Sequence, residues 1–270
     1  MSESTSNVAF TGNIPKIYDA SLGPVFFEPY AIDMAQRLVK LNPASVLETA
    51  AGTGRVTAHL GNKLSIATKI IATDLNPGML EVAKKKVTGK NITWQQADAM
   101  DLPFKENNFD TVVCQFGIMF YPDKLKGMQE AFRVLKKEGT FLFNVWDKVD
   151  YNPMAKTARE IIMNFFENDP PAFYNIPFGY NDTNEISSLL REAGFTNINF
   201  ETVNKDAVAE SAKKMSDGLV EGNPIANAIR ERNPDAVSIL EEKVTRELSE
   251  KFGSSPCKSV MQAIVFTAQK

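Results

Sequence analysis

What most constrains this chain is an alternation of short apolar runs with stretches of helical periodicity. Ser45–Glu48, Lys69–Thr73, Ile92–Gln96, Phe109–Gln115 and Thr140–Trp146 each read as a strand. After the first, Val56, Leu60 and Leu64 share one helix face. After the second, Asn76-Pro77 supplies an N-cap and a first-turn proline, and Met79, Leu80, Ala83 and Val87 form the apolar stripe. Pro122 opens a further helix bearing Leu125, Met128, Phe132 and Leu135. Strands joined through single helices need crossovers, and crossovers give a parallel sheet covered on both faces. The pattern predicts a doubly wound α/β fold.

The second half is less regular. A helix is predicted from Asn152-Pro153 through Ile161, Ile162 and Phe165, followed by a loop, Asn168–Asn181, rich in proline and aromatics. Asp182/Thr183 cap a helix carrying Ile186, Leu189, Leu190 and Ala193, which Gly194 stops. Phe195–Val203 reads as a sixth strand, Asp206–Gly253 as helical, and Ser259–Thr267 as a closing seventh strand. The expectation is one domain over residues 1–270 built on a mostly parallel, seven-stranded sheet. It has an N-terminal helical lid segment (1–41), a core (42–147) and a helical cap inserted before the last strand (206–253).

Composition narrows the chemistry. Thirty Lys+Arg against 33 Asp+Glu leave a net charge of −3, which argues against a protein that grips phosphate backbones. Cys114 and Cys257 are the only cysteines, with no CxxC, so a reducing compartment is expected. His59 is the only histidine, which excludes histidine-rich zinc clusters and leaves no metal site in view. Met1–Thr11 lacks the character of a signal peptide, and no apolar run is long enough to span a bilayer. A cytoplasmic protein follows.

The informative segment is Glu48-Thr49-Ala50-Ala51-Gly52-Thr53-Gly54, between the first strand and the first helix. In open α/β sheets, ligands bind beyond the carboxyl ends of the strands. Ala50, Gly52 and Gly54 let the backbone approach a ligand and turn sharply. Asp74 ends the second strand, where a carboxylate can accept both ribose hydroxyls. A dinucleotide turn would want a third small residue, and Thr57 stands there instead. Glu48, just before the turn, would repel a pyrophosphate but suits a sulfonium with an amino group.

With these residues the sequence resembles the class I S-adenosylmethionine-dependent methyltransferases, especially the ubiquinone/menaquinone-type small-molecule branch. The resemblance makes Glu48, Ala50 (in place of the first glycine), Gly52 and Gly54 the acid and glycine turn of the cofactor motif. It makes Asp74 with Leu75 the ribose end, Asp98-Ala99 the adenine pair, and Gln115-Phe116 the strand end beneath the methionine portion. Leu102-Pro103-Phe104, Phe109-Asp110 and Ala193-Gly194-Phe195 fit later landmarks, and Tyr18 fits a tyrosine that closes over the cofactor. It implies S-adenosylmethionine as cofactor, S-adenosylhomocysteine as product, and an apolar or planar small-molecule acceptor. A homodimer is compatible with it.

Methyl transfer from a sulfonium is an in-line displacement, so the protein chiefly aligns partners and excludes water. No catalytic residue is identified. Scarce histidine favours acceptors that are acidic phenols, carboxylates, stabilised carbanions or thiols. Three other readings stand beside this one: an NAD(P)-dependent oxidoreductase, a non-catalytic binding protein of the same fold, and a nucleic-acid methyltransferase. The last lacks its Asn/Asp-Pro-Pro-aromatic motif, since the fourth strand ends Cys114-Gln115-Phe116-Gly117. Phe173, Tyr174, Phe178 and Tyr180 would serve either as an acceptor wall or as lid packing.

Overall fold

The computed structural model describes residues 10–270; residues 1–9, and with them most of the polar N-terminal segment, lie outside the described part. In chain order the elements are α1 (Ile14–Ile17), a π-helix (Tyr18–Phe27), α2 (Glu28–Leu41), β1 (Ser45–Glu48), α3 (Arg55–Lys63), β2 (Lys69–Asp74), α4 (Pro77–Lys86), β3 (Ile92–Gln96) and β4 (Phe109–Gln115). Then come α5 (Lys124–Val134), β5 (Leu135–Trp146), α6 (Pro153–Phe165), α7 (Asn175–Gly179), α8 (Thr183–Glu192), β6 (Thr196–Ala209), α9 (Ala212–Val220), α10 (Ile225–Arg232), α11 (Ala236–Phe252) and β7 (Cys257–Gln269).

The seven strands lie in the order β3-β2-β1-β4-β5-β7-β6. β1 pairs parallel with β2 and β4, β2 with β3, and β4 with β5, while β7 runs antiparallel to β5. The predicted doubly wound, mostly parallel α/β sheet is therefore what forms. Because the order reverses at β1, its flanking crossovers diverge and leave a crevice beyond the strand ends.

The described chain divides into two compact units. One comprises Tyr30–Trp146, Tyr180–Val203 and Ala263–Lys270. Its core joins Ala31, Met34, Ala35 and Leu38 of α2 to Val46, Ile70, Val113, Leu142 and Val265 of the strands and to Val56 and Leu60 of α3, all at most 2% exposed. α4 starts where the sequence says: the Asn76 side chain accepts the Gly78 and Met79 N–H groups at 2.8 and 3.3 Å.

The other unit holds the described residues up to Pro29, with Asp147–Gly179 and Asn204–Gln262. There α9 packs on α11 and on the π-helix, and α6 packs on α11. The Tyr174 hydroxyl donates to the Leu219 carbonyl at 2.9 Å, and Lys243 Nζ lies over the Phe165 ring at 5.0 Å. Asn152 ties the segment after β5 to β7, its amide donating to the Lys148 and Gln262 carbonyls at 3.1 and 3.2 Å.

Three local expectations change. The sixth strand continues to Ala209, so residues 206–209, expected to open the helical stretch, are extended. Burial there alternates residue by residue, with Ala207 and Ala209 inward and Asp206 and Val208 outward, a period of two that overrides the helical pattern. β5 begins at Leu135, because the Lys137-Glu138-Gly139 turn is a kink within the strand: Glu138 has φ 65° and its N–H still reaches the Lys270 carbonyl. The Asn168–Asn181 loop contains α7, and Phe173, Tyr174 and Tyr180 are buried.

Candidate cofactor site

Glu48, Asp74 and Gln115 stand at the carboxyl ends of β1, β2 and β4, and the parallel register aligns those ends: Glu48 pairs with Ala72 and Val113, Asp74 with Gln96, and Gln115 with Asn144. The turn leaving β1 is fixed by its neighbours. Thr49 N–H donates to the Val113 carbonyl at 2.9 Å and Ala51 N–H to the Thr73 carbonyl at 2.8 Å. Asp74 completes the grip. Its Oδ2 accepts the Gly52 N–H and its Oδ1 the Asn76 N–H, both at 2.8 Å. A carboxylate accepts about four hydrogen bonds, so Asp74 keeps capacity for two hydroxyls.

The small residues divide their work. Gly52 has φ 57° and a Cβ there would meet nothing within 4 Å, so the backbone faces open space. Gly54, at φ 81°, is packed instead: a Cβ would stand 2.8 Å from the Trp94 ring and 3.1 Å from Ala83 Cβ. Ala50 adopts φ 52°, a left-handed conformation that is strained for any residue with a Cβ.

Glu48 is 2% exposed, and its Oε2 accepts the Thr57 hydroxyl at 2.6 Å. Burial pushes its carboxyl up to about 8, against the Thr57 hydrogen bond and with help from the Asp74 charge. Thr57, the departure from a dinucleotide turn, is thus the partner of the acid that argues for a cationic ligand. Burial also raises Asp74, opposed by the two backbone donors.

Beyond β3, Ala97 N–H donates to the Asp74 carbonyl at 3.2 Å, which ties the Asp98-Ala99 pair to the end of β2. Asp98 Oδ1 accepts the Met100 N–H at 2.8 Å. Leu75 is 62% exposed beside them, although the Gln96 side chain holds its carbonyl at 2.9 Å. Phe116, at φ 53°, follows Gln115; its N–H donates to Asn144 Oδ1 at 2.9 Å, and its ring stacks on Trp146 with centroids 4.0 Å apart.

The structure therefore brings together Glu48, Ala50, Gly52, Gly54, Asp74, Leu75, Asp98, Ala99, Gln115 and Phe116 within one unit. Tyr18 belongs to the other unit, in the π-helix, stacked on Phe27 at 4.7 Å. His59 lies on α3, and among the described residues no group of His, Cys, Asp and Glu could hold a metal ion.

Two residues escaped the sequence reading. The Tyr121 hydroxyl lies 3.4 Å from Cys114 Sγ and donates to Thr49 Oγ1 at 3.3 Å, bridging β4 to the glycine turn. Burial raises both the Tyr121 hydroxyl and the Cys114 thiol, so both are protonated at neutral pH. Asn144, fully buried on β5, holds Phe116 in its left-handed conformation. No local signal marks either role, since Tyr121 follows β4 while Thr49 follows β1, and Asn144 lies on β5 while Phe116 follows β4.

Residues 30–167 match the ubiE/COQ5 methyltransferase family. The ubiquinone/menaquinone biosynthesis C-methyltransferase of Idiomarina loihiensis is 26% identical over 183 residues, covering 61% of this chain and 71% of that protein. Its counterpart from Haemophilus ducreyi is 28% identical over 178 residues, covering 61% and 69%. Among solved structures, phosphoethanolamine N-methyltransferase 2 of Haemonchus contortus, in complex with S-adenosylhomocysteine, has a TM-score of 0.60 at 16% identity, covering 100% of this chain and 61% of that one. An S-adenosylmethionine-dependent methyltransferase from Aquifex aeolicus has a TM-score of 0.50 at 20% identity, covering 71% and 90%. No helix among the described residues is long and apolar enough to cross a membrane.

Proposed function

The chain belongs to the ubiE/COQ5 methyltransferase family and is an S-adenosylmethionine-dependent methyltransferase of small molecules; we propose that its acceptor is apolar and planar, with an acidic enol or phenol as nucleophile. The observation that carries this reading is how the polar groups at the strand ends are already engaged. The Tyr121 hydroxyl is taken up by Cys114 and Thr49, burial raises both that hydroxyl and the thiol, and the Glu48 carboxyl is 2% exposed and accepts the Thr57 hydroxyl. An acceptor of low pKa brings its own nucleophile and asks only for alignment and exclusion of water. The relatives named for C-methylation in quinone biosynthesis support a ring carbon activated by such a hydroxyl.

The residues present fit the cofactor on one structural ground in particular: open space over Gly52 lies beside a carboxylate, Asp74, already fixed by two backbone donors. S-adenosylmethionine supplies, when bound, a methyl group activated by a sulfonium. In this reading Asp74 accepts the ribose hydroxyls and Leu75 covers an apolar face of the nucleoside. Asp98 and Ala99 take the adenine edge, while Gln115 and Phe116 line the methionine end. Glu48, beneath the turn, balances positive charge, and a cation above it favours its ionised form. The backbone at Ala50, Gly52 and Gly54 sets the distance of approach.

A panel of phenols and enolisable diketones of graded acidity tests the acceptor class, with S-adenosylhomocysteine release measured against pH. The midpoint of the rate profile is expected to follow the pKa of each acceptor. A midpoint that stays fixed across the panel would assign the proton to a protein base and sink the reading.

A further inference from the structure

The loop from β3 to β4 is held from behind by two residues of α5 that the roles above do not use. Glu130 and Arg133 are three residues apart on one helix face. Arg133 Nη1 donates to the Phe104 carbonyl at 2.7 Å and Nη2 to the Leu102 carbonyl at 2.8 Å. Glu130 Oε2 accepts the Leu102 N–H at 2.8 Å. The side chains also pair with each other, Nε to Oε1 at 2.8 Å and Nη2 to Oε2 at 2.7 Å. Glu130 is 6% exposed, and the guanidinium holds its carboxyl below the usual range. Two planar forks are thus locked together and grip three backbone groups of residues 102–104.

At the front of the same loop, Asp98 accepts the Met100 N–H at 2.8 Å, and the Asp101 N–H returns to the Asp98 carbonyl at 3.0 Å. No regular element lies between Gln96 and Phe109. The ends of the loop are pinned by Ala97 N–H on the Asp74 carbonyl and by Asn107 and Asn108 N–H on the Arg133 and Val134 carbonyls. Between them the bracket on α5 and the short Asp98 turn hold residues 98–104 in place of a helix. We infer that the Glu130–Arg133 pair is a positioning device for adenine recognition: it fixes the Leu102–Phe104 backbone and so the place where Asp98 presents its carboxylate. The inference rests on the reading of Asp98 as the adenine-side acid. Preorganising an acceptor lowers the ordering cost of binding, so a loosened bracket weakens recognition of the base edge rather than of the whole nucleoside.

The test is calorimetry on the full chain with S-adenosylhomocysteine and with S-inosylhomocysteine, in which the exocyclic amine is a carbonyl oxygen. The wild-type protein is expected to prefer the adenine compound by about tenfold or more, the range for a lost hydrogen bond to an ionised group. Arg133→Met is expected to remove most of that preference, with affinity for the inosine compound within about twofold of wild type. Arg133→Lys keeps the charge but not the fork and is expected to behave alike; it also carries the test should Arg133→Met not fold, as judged by thermal melting. A folded variant that keeps the full preference, or that loses affinity for both compounds equally, overturns the bracket and leaves the Asp98 reading intact. A wild-type protein with no preference overturns the Asp98 reading and the bracket with it.

Discussion

Gly117 makes room for Ala50: a methyl group at Gly117 would stand 2.4 Å from Ala50 Cβ and 2.8 Å from Cys114 Sγ. The turn after β1 carries alanine at a left-handed position, and the chain after β4 answers with a residue that has no side chain. Gly117→Ala is therefore expected to displace the turn, lowering affinity for S-adenosylhomocysteine by about tenfold or more and costing on the order of 1–3 kcal/mol of stability. Ala50→Gly relieves both the strain and the first of these contacts, so the double variant is expected to recover part of the loss. Additive losses in calorimetry and melting would show that the two positions are not coupled.

Asp74 is expected to matter for shape before ligand arrives. Asp74→Asn keeps one oxygen acceptor and turns the other into an amide donor, so either the Gly52 or the Asn76 N–H loses its partner and faces another donor. S-adenosylhomocysteine affinity is expected to fall by at least about thirtyfold, with loss of the ribose contacts included. An unchanged dissociation constant would remove Asp74 from the site.

Glu48 gives a pH signature. Its folded carboxyl is raised to about 8, above the ordinary value of 4.5, so the folded state holds a proton that the unfolded chain releases. That contribution to stability is fully present below about pH 4.5 and is lost as pH rises through about 8. Glu48→Gln is neutral throughout. The ligand-free variant is therefore expected to melt above wild type at pH 8–9, by an amount on the order of a few kcal/mol, while binding S-adenosylmethionine more weakly. Parallel melting curves against pH would mean that Glu48 is ionised in the folded protein.

Tyr121→Phe removes the hydroxyl that links Cys114 to Thr49. The expected cost is about 1 kcal/mol in stability, with an affinity for S-adenosylhomocysteine reduced about fivefold because the turn loses a brace. If chemical denaturation shows the stability loss while calorimetry shows full affinity, Tyr121 supports the fold alone.

The sequence by itself determined the fold class and much of the site's outline. Apolar runs alternating with amphipathic helices leave a parallel sheet as the way to bury both, and small residues between β1 and α3 outline the candidate cofactor site. Asp74 was legible because a strand-end acid lies a fixed chain distance from the turn. Only the tertiary structure decided what holds these pieces still. Thr57 on Glu48, Gly117 beneath Ala50, Asn144 on Phe116 and Arg133 behind the Asp98 loop are pairings between separate segments of the chain. The same holds for residues 206–209, which local pattern makes helical and the sheet makes extended. Periodicity reports which face of an element is buried. Which neighbour a buried polar group meets depends on strand order and register, and those are fixed by packing the whole sheet at once.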